Sequence, residues 1–390
     1  MPNGGAATAG TAGSTFATAG SAGTADGGSR PDLTSYSCVT SSDCPLNGAC
    51  TAGGLCECPE VAPNFCPLYS VDFQPPGCVS LLSNPGRCGA CDKACPGYTS
   101  CREGQCSESP TLLAELDSCG RILGLAIADS TLYYSATGTS VGSLEIAGAP
   151  VTPTSSNGSA LTMAIDENAV YWLVGGETTS IMRQARAVGD AAEVLAWGSA
   201  GEPISDFTVH SGSVYYARGA EIHALSSGPS GWEDSAIVSS PPGGLPHWLV
   251  AGDDFVIWHD QTSLHQDDLL PGNDGYQLLL GTFAHGIALD GEHVYWWRGE
   301  LLDRLEVGTP QSELVARVPG ETVEHVAFGA EHIYLASRKT IYRQSREPGA
   351  DGEPARVEAF ALAEAPVTAI VLSSEHLYWA AGCKLHRLPL

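Results

Sequence analysis

The sequence is poor in positive charge. Its 390 residues include 18 lysines and arginines against 44 aspartates and glutamates, which gives a net charge of −26. Proteins that bind nucleic acid need clustered lysine and arginine to displace the counterions around phosphate. Anionic lipid headgroups attract the same two residue types. We therefore predict no nucleic-acid partner and no docking on an anionic membrane.

Long apolar runs are also missing. No stretch approaches the roughly 18–20 apolar residues that a membrane-spanning helix needs, so we predict no membrane span. The given sequence also shows no export signal, because its first residues lack a basic region followed by an apolar one.

Large side chains are nearly absent from residues 1–34. Twenty-four of the first thirty residues are Gly, Ala, Ser or Thr. Such a segment cannot bury enough apolar surface to offset the entropy that its backbone would lose on folding. We predict that residues 1–34 are a disordered tether.

Residues 35–108 contain twelve of the fourteen cysteines, from Cys38 to Cys106, and no long aliphatic run. A segment with so little core needs cross-links, and the sequence therefore predicts a small disulfide-rich module. Zinc is the alternative, suggested by the Cys-x-x-Cys of Cys88 and Cys91. No histidine occurs before His210, so such a zinc site would be all-cysteine.

The cysteines bear on the cellular compartment. Disulfides persist in oxidising surroundings, which favours an extracellular or cell-envelope location. Because no export signal is visible, we expect one to lie upstream of the given start.

Residues 109–390 contain an internal repeat. Apolar and aromatic pairs recur with a period near 41 residues. The first positions of these pairs are Tyr133, Tyr171, Tyr215, Ile257, Tyr295, Tyr334 and Tyr378. A fixed period of this length is typical of repeat architectures.

Each copy has the pattern of four short strands. In the second copy these are residues 162–165, 170–174, 180–184 and 193–197, separated by turns rich in Gly, Asp and Asn. Four strands in about 40 residues form one blade of a β-propeller. The sequence therefore predicts an all-β fold, a seven-bladed β-propeller in which the aromatic pairs pack between neighbouring blades.

The seventh repeat stops after its third strand. Residues 111–116 precede the first repeat without a partner of their own, and Leu113 lies 20 residues before Tyr133. In the other repeats the fourth strand lies about 20 residues before the next aromatic pair. We predict that residues 111–116 complete the last blade, which is a three-plus-one ring closure.

This closure also predicts a cross-link. The third strand of the last blade would run antiparallel to residues 111–116, so Cys383 at its start would lie near Cys119. We predict a Cys119–Cys383 disulfide; the alternative is two buried thiols. 

Two resemblances accompany these patterns. The blades, with an aliphatic-x-Arg signature at Ile181, Leu302, Ile341 and Leu385, resemble YWTD-type and TolB-like propeller repeats, although YWTD rings typically have six blades. The stretch "CGACDKACPGYTSCREGQC" is similar to the EGF-like or Cys-Gly-x-Cys modules of secreted or lipoprotein-type myxobacterial proteins. These likenesses imply a secreted or lipoprotein-like bacterial protein and say little about activity, since propellers serve many functions.

The beginnings of the inner strands hold the candidate site. There the first, second and seventh repeats carry apolar or small residues, whereas repeats three to six carry polar or aromatic ones. All inner strands begin on one face of the ring, so we expect these residues at the mouth of the central channel, either as a binding site or as solvated strand ends next to loops. The candidate ligand-binding residues are Asp206, His247, Trp248, His285, Glu324 and His325. Imidazole and carboxylate also suit a divalent metal or proton transfer.

Three classes of function follow. The first is an exported binding protein, a monomer whose propeller face takes a protein or glycan at the cell surface, with no catalytic residue and no cofactor assigned. The second is an enzyme, a lyase or hydrolase, with a divalent metal or acid–base pair at the channel mouth. The third is a structural component of the cell surface. The sequence favours the first.

Overall fold

The computed structural model describes most of the propeller and parts of the cysteine-rich segment. The described residues are 44, 48–58, 63–66, 77–82, 84, 87–93, 95, 101–102, 104–106, 110–116, 119–138, 141–146, 152–154, 159–186, 191–239, 244–260, 262–269, 275–309, 311–347 and 355–390. The predicted tether, residues 1–34, lies outside them. Within the described part of the chain there is no α-helix, and so none long and apolar enough to cross a membrane.

The described regular structure consists of strands. Six short ones lie in the cysteine-rich segment: β1 (Ala49–Cys50), β2 (Cys56–Glu57), β3 (Asn64–Cys66), β4 (Gly77–Val79), β5 (Cys101–Arg102) and β6 (Gln105–Cys106). The strand β7 (Thr111–Glu115) follows. The next four blades are formed by β8 (Arg121–Ala128), β9 (Thr131–Thr137), β10 (Val141–Glu145), β11 (Thr152–Thr154), β12 (Ser159–Ile165), β13 (Ala169–Gly175), β14 (Thr179–Ala185), β15 (Glu193–Gly198), β16 (Ile204–His210), β17 (Ser213–Arg218), β18 (Glu221–Gly228), β19 (Gly231–Val238), β20 (His247–Ala251), β21 (Val256–His259), β22 (Ser263–Asp267) and β23 (Tyr276–Leu280). The last three contain β24 (Gly286–Asp290), β25 (His293–Arg298), β26 (Leu301–Glu306), β27 (Ser312–Arg317), β28 (His325–Phe328), β29 (His332–Ser337), β30 (Thr340–Ser345), β31 (Val357–Leu362), β32 (Val367–Leu372), β33 (His376–Ala381) and β34 (Lys384–Pro389).

These strands form a seven-bladed propeller. The strands form seven four-stranded antiparallel sheets, one for each blade. The inner strands of the blades are β8, β12, β16, β20, β24, β28 and β32. Each inner strand contacts the inner strands of both neighbouring blades, and β32 contacts β8, so the ring is closed. The predicted fold class is confirmed.

The aromatic pairs hold neighbouring blades together. Successive side chains of a strand point to opposite faces of the sheet, so the two members of a pair face different neighbours. In the second blade, Tyr171 packs with Phe207 of the third blade, whereas Trp172 packs with Val141 of the first. Tyr171 and Trp172 are both fully buried. Each pair therefore joins its blade to the blade before it and to the blade after it.

The aliphatic-x-Arg signature joins the third strand of a blade to the fourth. Arg183 forms an ion pair of 2.8 Å with Glu193, and Arg343 forms one of 2.6 Å with Glu358 on the adjacent strand. Arg387 of the seventh blade lies opposite Thr111 instead, and it donates a hydrogen bond to the Ile146 carbonyl of the first blade at 3.2 Å. The same arginine position thus stabilises the closing blade through a contact with its neighbour.

Ring closure uses β7. This strand pairs antiparallel with β34 and supplies the outer strand of the seventh blade. The Leu116 N–H donates to the Cys383 carbonyl at 2.9 Å, and the Ile122 N–H donates to the Gly382 carbonyl at 3.1 Å. Cys119 and Cys383 form a disulfide with a Cα–Cα distance of 5.8 Å. The first blade is therefore tied to the last by strand pairing, hydrogen bonds and a covalent bond.

The cysteine-rich segment is cross-linked in the same way. Its described disulfides are Cys44–Cys56, Cys58–Cys78, Cys66–Cys91, Cys88–Cys101 and Cys95–Cys106, and Cys50 is also disulfide-bonded. No described cysteine is a free thiol. The cysteines of this segment therefore serve as cross-links, and so many disulfides suggest an oxidising, extracellular environment.

Removal of the closing disulfide should destabilise the ring. The bond spans 264 residues, and the chain-entropy model predicts that the double variant Cys119→Ser/Cys383→Ser loses about 2–5 kcal/mol of unfolding free energy. Urea denaturation without reductant measures the loss. Leu112→Ser, an exposed position on β7, is the control and should change the midpoint little. A double variant as stable as the wild type would show that the disulfide contributes nothing to closure.

Candidate binding face at the channel mouth

One face of the propeller carries all the predicted site residues. The seven inner strands begin on this face, which we call the mouth face. The connections from each blade to the next and the turns between second and third strands also lie there, because neighbouring strands are antiparallel. The first residues of the inner strands are Arg121, Ser159, Ile204, His247, Gly286, His325 and Val367.

Bulges near the start of the inner strands shape this face. The pairing of the inner strand with the second strand shifts by one residue at Ser205 in the third blade and at Trp248 in the fourth. Trp248 has a φ of 40°, a left-handed conformation that is strained for a tryptophan. The centroid of its ring lies 6.1 Å from the centroid of the His247 ring and 5.6 Å from that of the His259 ring. The fourth blade thus presents two half-buried rings, those of His247 and Trp248, to the mouth, and the fully buried His259 ring lies beside Trp248.

Asp206 connects the third and fourth blades. Its Oδ2 accepts a hydrogen bond from the Leu249 N–H at 2.9 Å, and the neighbouring Ser205 hydroxyl donates to the Pro246 carbonyl at 2.8 Å. The side chain is surrounded by protein although water reaches part of it. Burial raises the pKa of Asp206 to about 6, although the N–H groups of Leu249 and Phe207 favour the ionised form.

His325 meets a charge from another blade. Burial lowers the pKa of His325 to about 4, and the positive charge of Arg121 lowers it further in the same direction. Arg121 begins the inner strand of the first blade and His325 that of the sixth, and both inner strands contact β32 of the seventh blade, which lies between them. His325 makes no side-chain hydrogen bond or ion pair with any described residue.

His285 and Glu324 occupy matching places in the fifth and sixth blades. The His285 N–H donates to the Trp297 carbonyl at 2.7 Å, and the Glu324 N–H donates to the Ala336 carbonyl at 2.9 Å. Their side chains have no hydrogen-bond or ion-pair partner among the described residues. The predicted residues therefore share one face without forming a single hydrogen-bonded constellation.

The geometry of a metal centre is not seen in the described residues of this face. Three or more His, Cys, Asp or Glu ligand atoms within 4.8 Å of one another occur in the described chain at Cys88, Cys95 and Cys106. These three cysteines are committed to disulfides. The channel-mouth histidines and carboxylates are not in such a group.

Exposed apolar side chains are the part of the mouth face that the sequence did not reveal. Trp197 is 63% exposed, Phe283 61% and Leu245 56%, although each lies in or next to a well-ordered strand. Leu161, at the bulge of the second inner strand, is 43% exposed. Trp197 and Phe283 are aromatic residues outside the repeated pairs, and this was the signal in the sequence that could have identified them as exposed. These residues extend over the second to fifth blades.

A buried histidine anchors the connection that carries Phe283. The His259 side chain is fully buried, and its Nε2 accepts a hydrogen bond from the Ala284 N–H at 3.2 Å and lies 2.8 Å from the Thr282 hydroxyl. Burial lowers the pKa of His259 to about 4, which keeps the ring neutral. Both neighbours of Phe283 are thus fixed, while Phe283 itself has a strained φ of 45° and points to solvent.

A buried aspartate anchors the connection that carries Leu245. Asp260 Oδ2 accepts hydrogen bonds from the Gly244 N–H at 3.2 Å and from His265 Nε2 at 2.8 Å, and its Oδ1 accepts one from the Thr262 N–H at 2.9 Å. Burial opposes ionisation, but these hydrogen bonds outweigh it and hold the pKa of Asp260 well below its usual range. The turn between β21 and β22 therefore fixes two exposed apolar residues at once.

Comparisons with known proteins reveal the fold alone. No family model matches the chain, and no curated protein matches it in sequence. YCF48 from Cyanidioschyzon merolae is similar in structure, with a TM-score of 0.56 at 13% identity over 72% of this chain and 99% of that one. Virginiamycin B lyase from Staphylococcus aureus has a TM-score of 0.56 at 12% identity, over 72% and 98%. A YCF48 structure bound to D1 peptide has a TM-score of 0.55 at 11% identity, over 71% and 96%.

The raised pKa of Asp206 predicts a pH dependence of stability. The carboxyl ionises near 3.8 in the unfolded chain and near 6 in the folded protein. Between these two pH values the carboxyl binds a proton more strongly in the folded protein than in the unfolded chain. Asp206 therefore makes the unfolding free energy fall as the pH rises from about 4 to 6. Asp206→Asn removes this term.

Relative to the wild type, the Asp206→Asn variant should therefore gain about 1–2 kcal/mol of stability between pH 4 and pH 7. Urea denaturation across this range measures the gain. Asp254→Asn, at an exposed position in the turn between β20 and β21, is the control. A stability difference between Asp206→Asn and wild type that stays constant with pH would contradict the assignment.

Proposed function

We propose that this chain is an exported binding protein whose mouth face takes a segment of a partner protein. The observation that carries the proposal is the exposure of Leu245 and Phe283 on anchored connections of the mouth face, together with Trp197 at the mouth-face end of the outer strand β15. Exposed apolar side chains in a group mark interaction sites more often than scattered ones do. Aromatic residues on a rigid support are the usual anchors of protein interfaces.

The supporting structure favours a built site over accidental exposure. Burying His259 and Asp260 costs desolvation energy that apolar residues in their place would avoid. The two residues offset that cost through hydrogen bonds to the flanks of Phe283 and Leu245. Fixing these side chains before binding reduces the entropy that they would lose on complex formation.

A protein segment fits this face better than a glycan does. Trp197 and Phe283 could stack on a sugar ring, but Leu161 and Leu245 offer aliphatic surface that a sugar does not use well. Apolar side chains of a peptide would fill the space between them, and the polar rim at Asp206 and the histidines would bind its backbone. The YCF48 propeller bound to D1 peptide has a similar fold, which supports a peptide ligand by analogy.

The other predicted regions fit an exported protein. We propose residues 109–390 as the binding domain, residues 35–108 as a disulfide-rich module and residues 1–34 as a tether. On this proposal the tether and the module hold the propeller at the cell surface, as in a lipoprotein. The disulfides, which need an oxidising compartment, support this arrangement.

Loss of the exposed aromatic residues should abolish binding. A display library of random peptides is panned on the immobilised protein, and the enriched peptides are then tested on the variant Trp197→Ser/Phe283→Ser. We expect at least about tenfold weaker binding, because such anchors commonly contribute several-fold effects each. Affinity is measured by fluorescence anisotropy.

The control is Val194→Ser/Leu314→Ser, which removes exposed apolar residues near the starts of outer strands, at the ends away from the mouth face, and should leave binding unchanged. A glycan array probed with the same protein is run in parallel. Failure to enrich any peptide, or signals on the glycan array alone, would contradict a protein ligand.

A further inference from the structure

The mouth face also carries positive charge without a partner. Most arginines and lysines of the described propeller form ion pairs, namely Arg183–Glu193, Arg186–Asp129, Arg218–Asp234, Arg298–Asp303, Arg304–Glu313, Arg317–Glu300, Arg343–Glu358, Arg346–Asp290 and Lys384–Glu364. Arg121, Arg338 and Lys339 have no acceptor among the described residues, and all three are exposed on the mouth face. In a protein of net charge −26, such a group requires an explanation.

Arg121 is held in place by the ring closure. It lies two residues after Cys119, whose disulfide to Cys383 joins the first blade to the seventh. The Gly120 N–H donates to the Thr137 carbonyl at 2.9 Å, and the Ile122 N–H donates to the Gly382 carbonyl at 3.1 Å. The backbone on both sides of Arg121 is therefore fixed, although the guanidinium itself is exposed. Such pre-organisation lowers the entropic cost of binding a ligand there.

His325 faces the same space from the sixth blade. It is half-buried at the first position of β28, and its imidazole has no described hydrogen-bond partner. Since its pKa lies near 4, the ring is neutral at physiological pH and carries one N–H donor. The carboxylates of this face include the adjacent Glu324 and, in the third blade, Asp206.

We propose that Arg121 and His325 form a carboxylate-binding subsite at the channel mouth. The subsite takes an acidic side chain or the C-terminal carboxylate of the partner segment whose apolar residues rest on Trp197, Leu245 and Phe283. The Arg121 guanidinium donates hydrogen bonds to the carboxylate, and the neutral His325 ring donates one more. This inference rests on the proposed function and adds the charge of the ligand to it.

The charges of the subsite favour a carboxylate over a phosphate. A guanidinium matches the two oxygens of a carboxylate with parallel hydrogen bonds. Arg121 supplies one positive charge and neutral His325 supplies none, while Glu324 adds a negative charge beside them. The charges of Arg121 and Glu324 cancel, so a bound carboxylate leaves a net charge of −1 in the subsite, whereas a dianionic phosphate would leave one of −2. Arg338 and Lys339 lie in the turn between β29 and β30 of the sixth blade. Their charges would attract an acidic segment during its approach.

The probe for this subsite is the peptide acetyl-hexaglutamate amide, with acetyl-hexaglutamine amide as the uncharged control. The imidazole resonance of His325 is assigned by comparison with His325→Gln and followed by NMR during titration at physiological ionic strength. We expect the glutamate peptide to shift this resonance and to raise the pKa of His325, because a bound carboxylate opposes the effect of Arg121. The glutamine peptide should do neither.

Arg121→Gln should weaken binding of the glutamate peptide by about tenfold or more, as expected for a lost charge-assisted hydrogen bond. In the free protein the same variant should raise the pKa of His325, which tests whether the two side chains are close to each other. The matched control is Arg304→Gln, which removes one positive charge from a third strand, away from the inner strands, and should leave peptide binding unchanged.

Each outcome separates this subsite from the proposed function. If the glutamate peptide leaves His325 unchanged, or binds Arg121→Gln as well as wild type, the subsite is refuted while display-library peptides can still bind. If the library yields no peptide but the glutamate peptide shifts His325 through Arg121, the subsite stands and the protein-segment proposal fails. An equal effect of inorganic phosphate would overturn the preference for carboxylate.

Discussion

The pairing of β7 with β34 is the contact on which this structure depends. Neither partner forms a complete blade alone, since β34 ends the chain's seventh sheet one strand short and β7 has no other strand beside it. Once they pair, every blade has two neighbours, and the two side chains of each repeated pair can pack against different blades. The disulfide of Cys119 with Cys383 then fixes the junction covalently. A propeller without this junction would expose two blade faces to water, and Tyr378 and Tyr134, which pack together across it, would lose their partners.

The same junction also fixes the position of Arg121, a residue of the proposed carboxylate-binding subsite. In an open ring Arg121 would be the start of a free strand, but the closed ring holds it at the rim of the channel opposite His325. The fourth blade shows a related use of stability. There the buried His259 and Asp260 stabilise two connections whose exposed residues, Phe283 and Leu245, add nothing to the core. A buried polar group destabilises the protein unless its hydrogen bonds are made. A role in supporting the proposed binding surface would account for His259 and Asp260 at these positions.

The fold was predictable because its signals are repeated. Each blade repeats the aromatic pair and turn pattern, so a weak signal in one copy was reinforced by the others, and the length missing from the last repeat matched residues 111–116. The site was less predictable. Position in the repeat correctly indicated that Asp206 and His325 begin inner strands, but not that Asp206 binds Leu249 or that His325 faces Arg121. Those contacts join different blades, and single-sequence periodicity carries no information about them.

Exposed apolar residues were missed for a different physical reason. In the sequence, Trp197 ends an apolar strand and Phe283 precedes an apolar one, so both match the core pattern. The exposure of Phe283 follows from hydrogen bonds that fix its neighbours from elsewhere in the ring, such as the one from the Ala284 N–H to His259.

Electrostatics limits which ligand can use the face that results. The net charge of −26 repels an acidic segment at long range, but salt screens charges beyond about 8 Å under physiological conditions. Inside that distance only nearby groups matter, and on the mouth face these include three cations without partners. An acidic protein with an apolar, locally cationic face would therefore reject most anionic partners and retain those that also fit its anchors. On the proposed function, this double requirement would give the mouth face its selectivity.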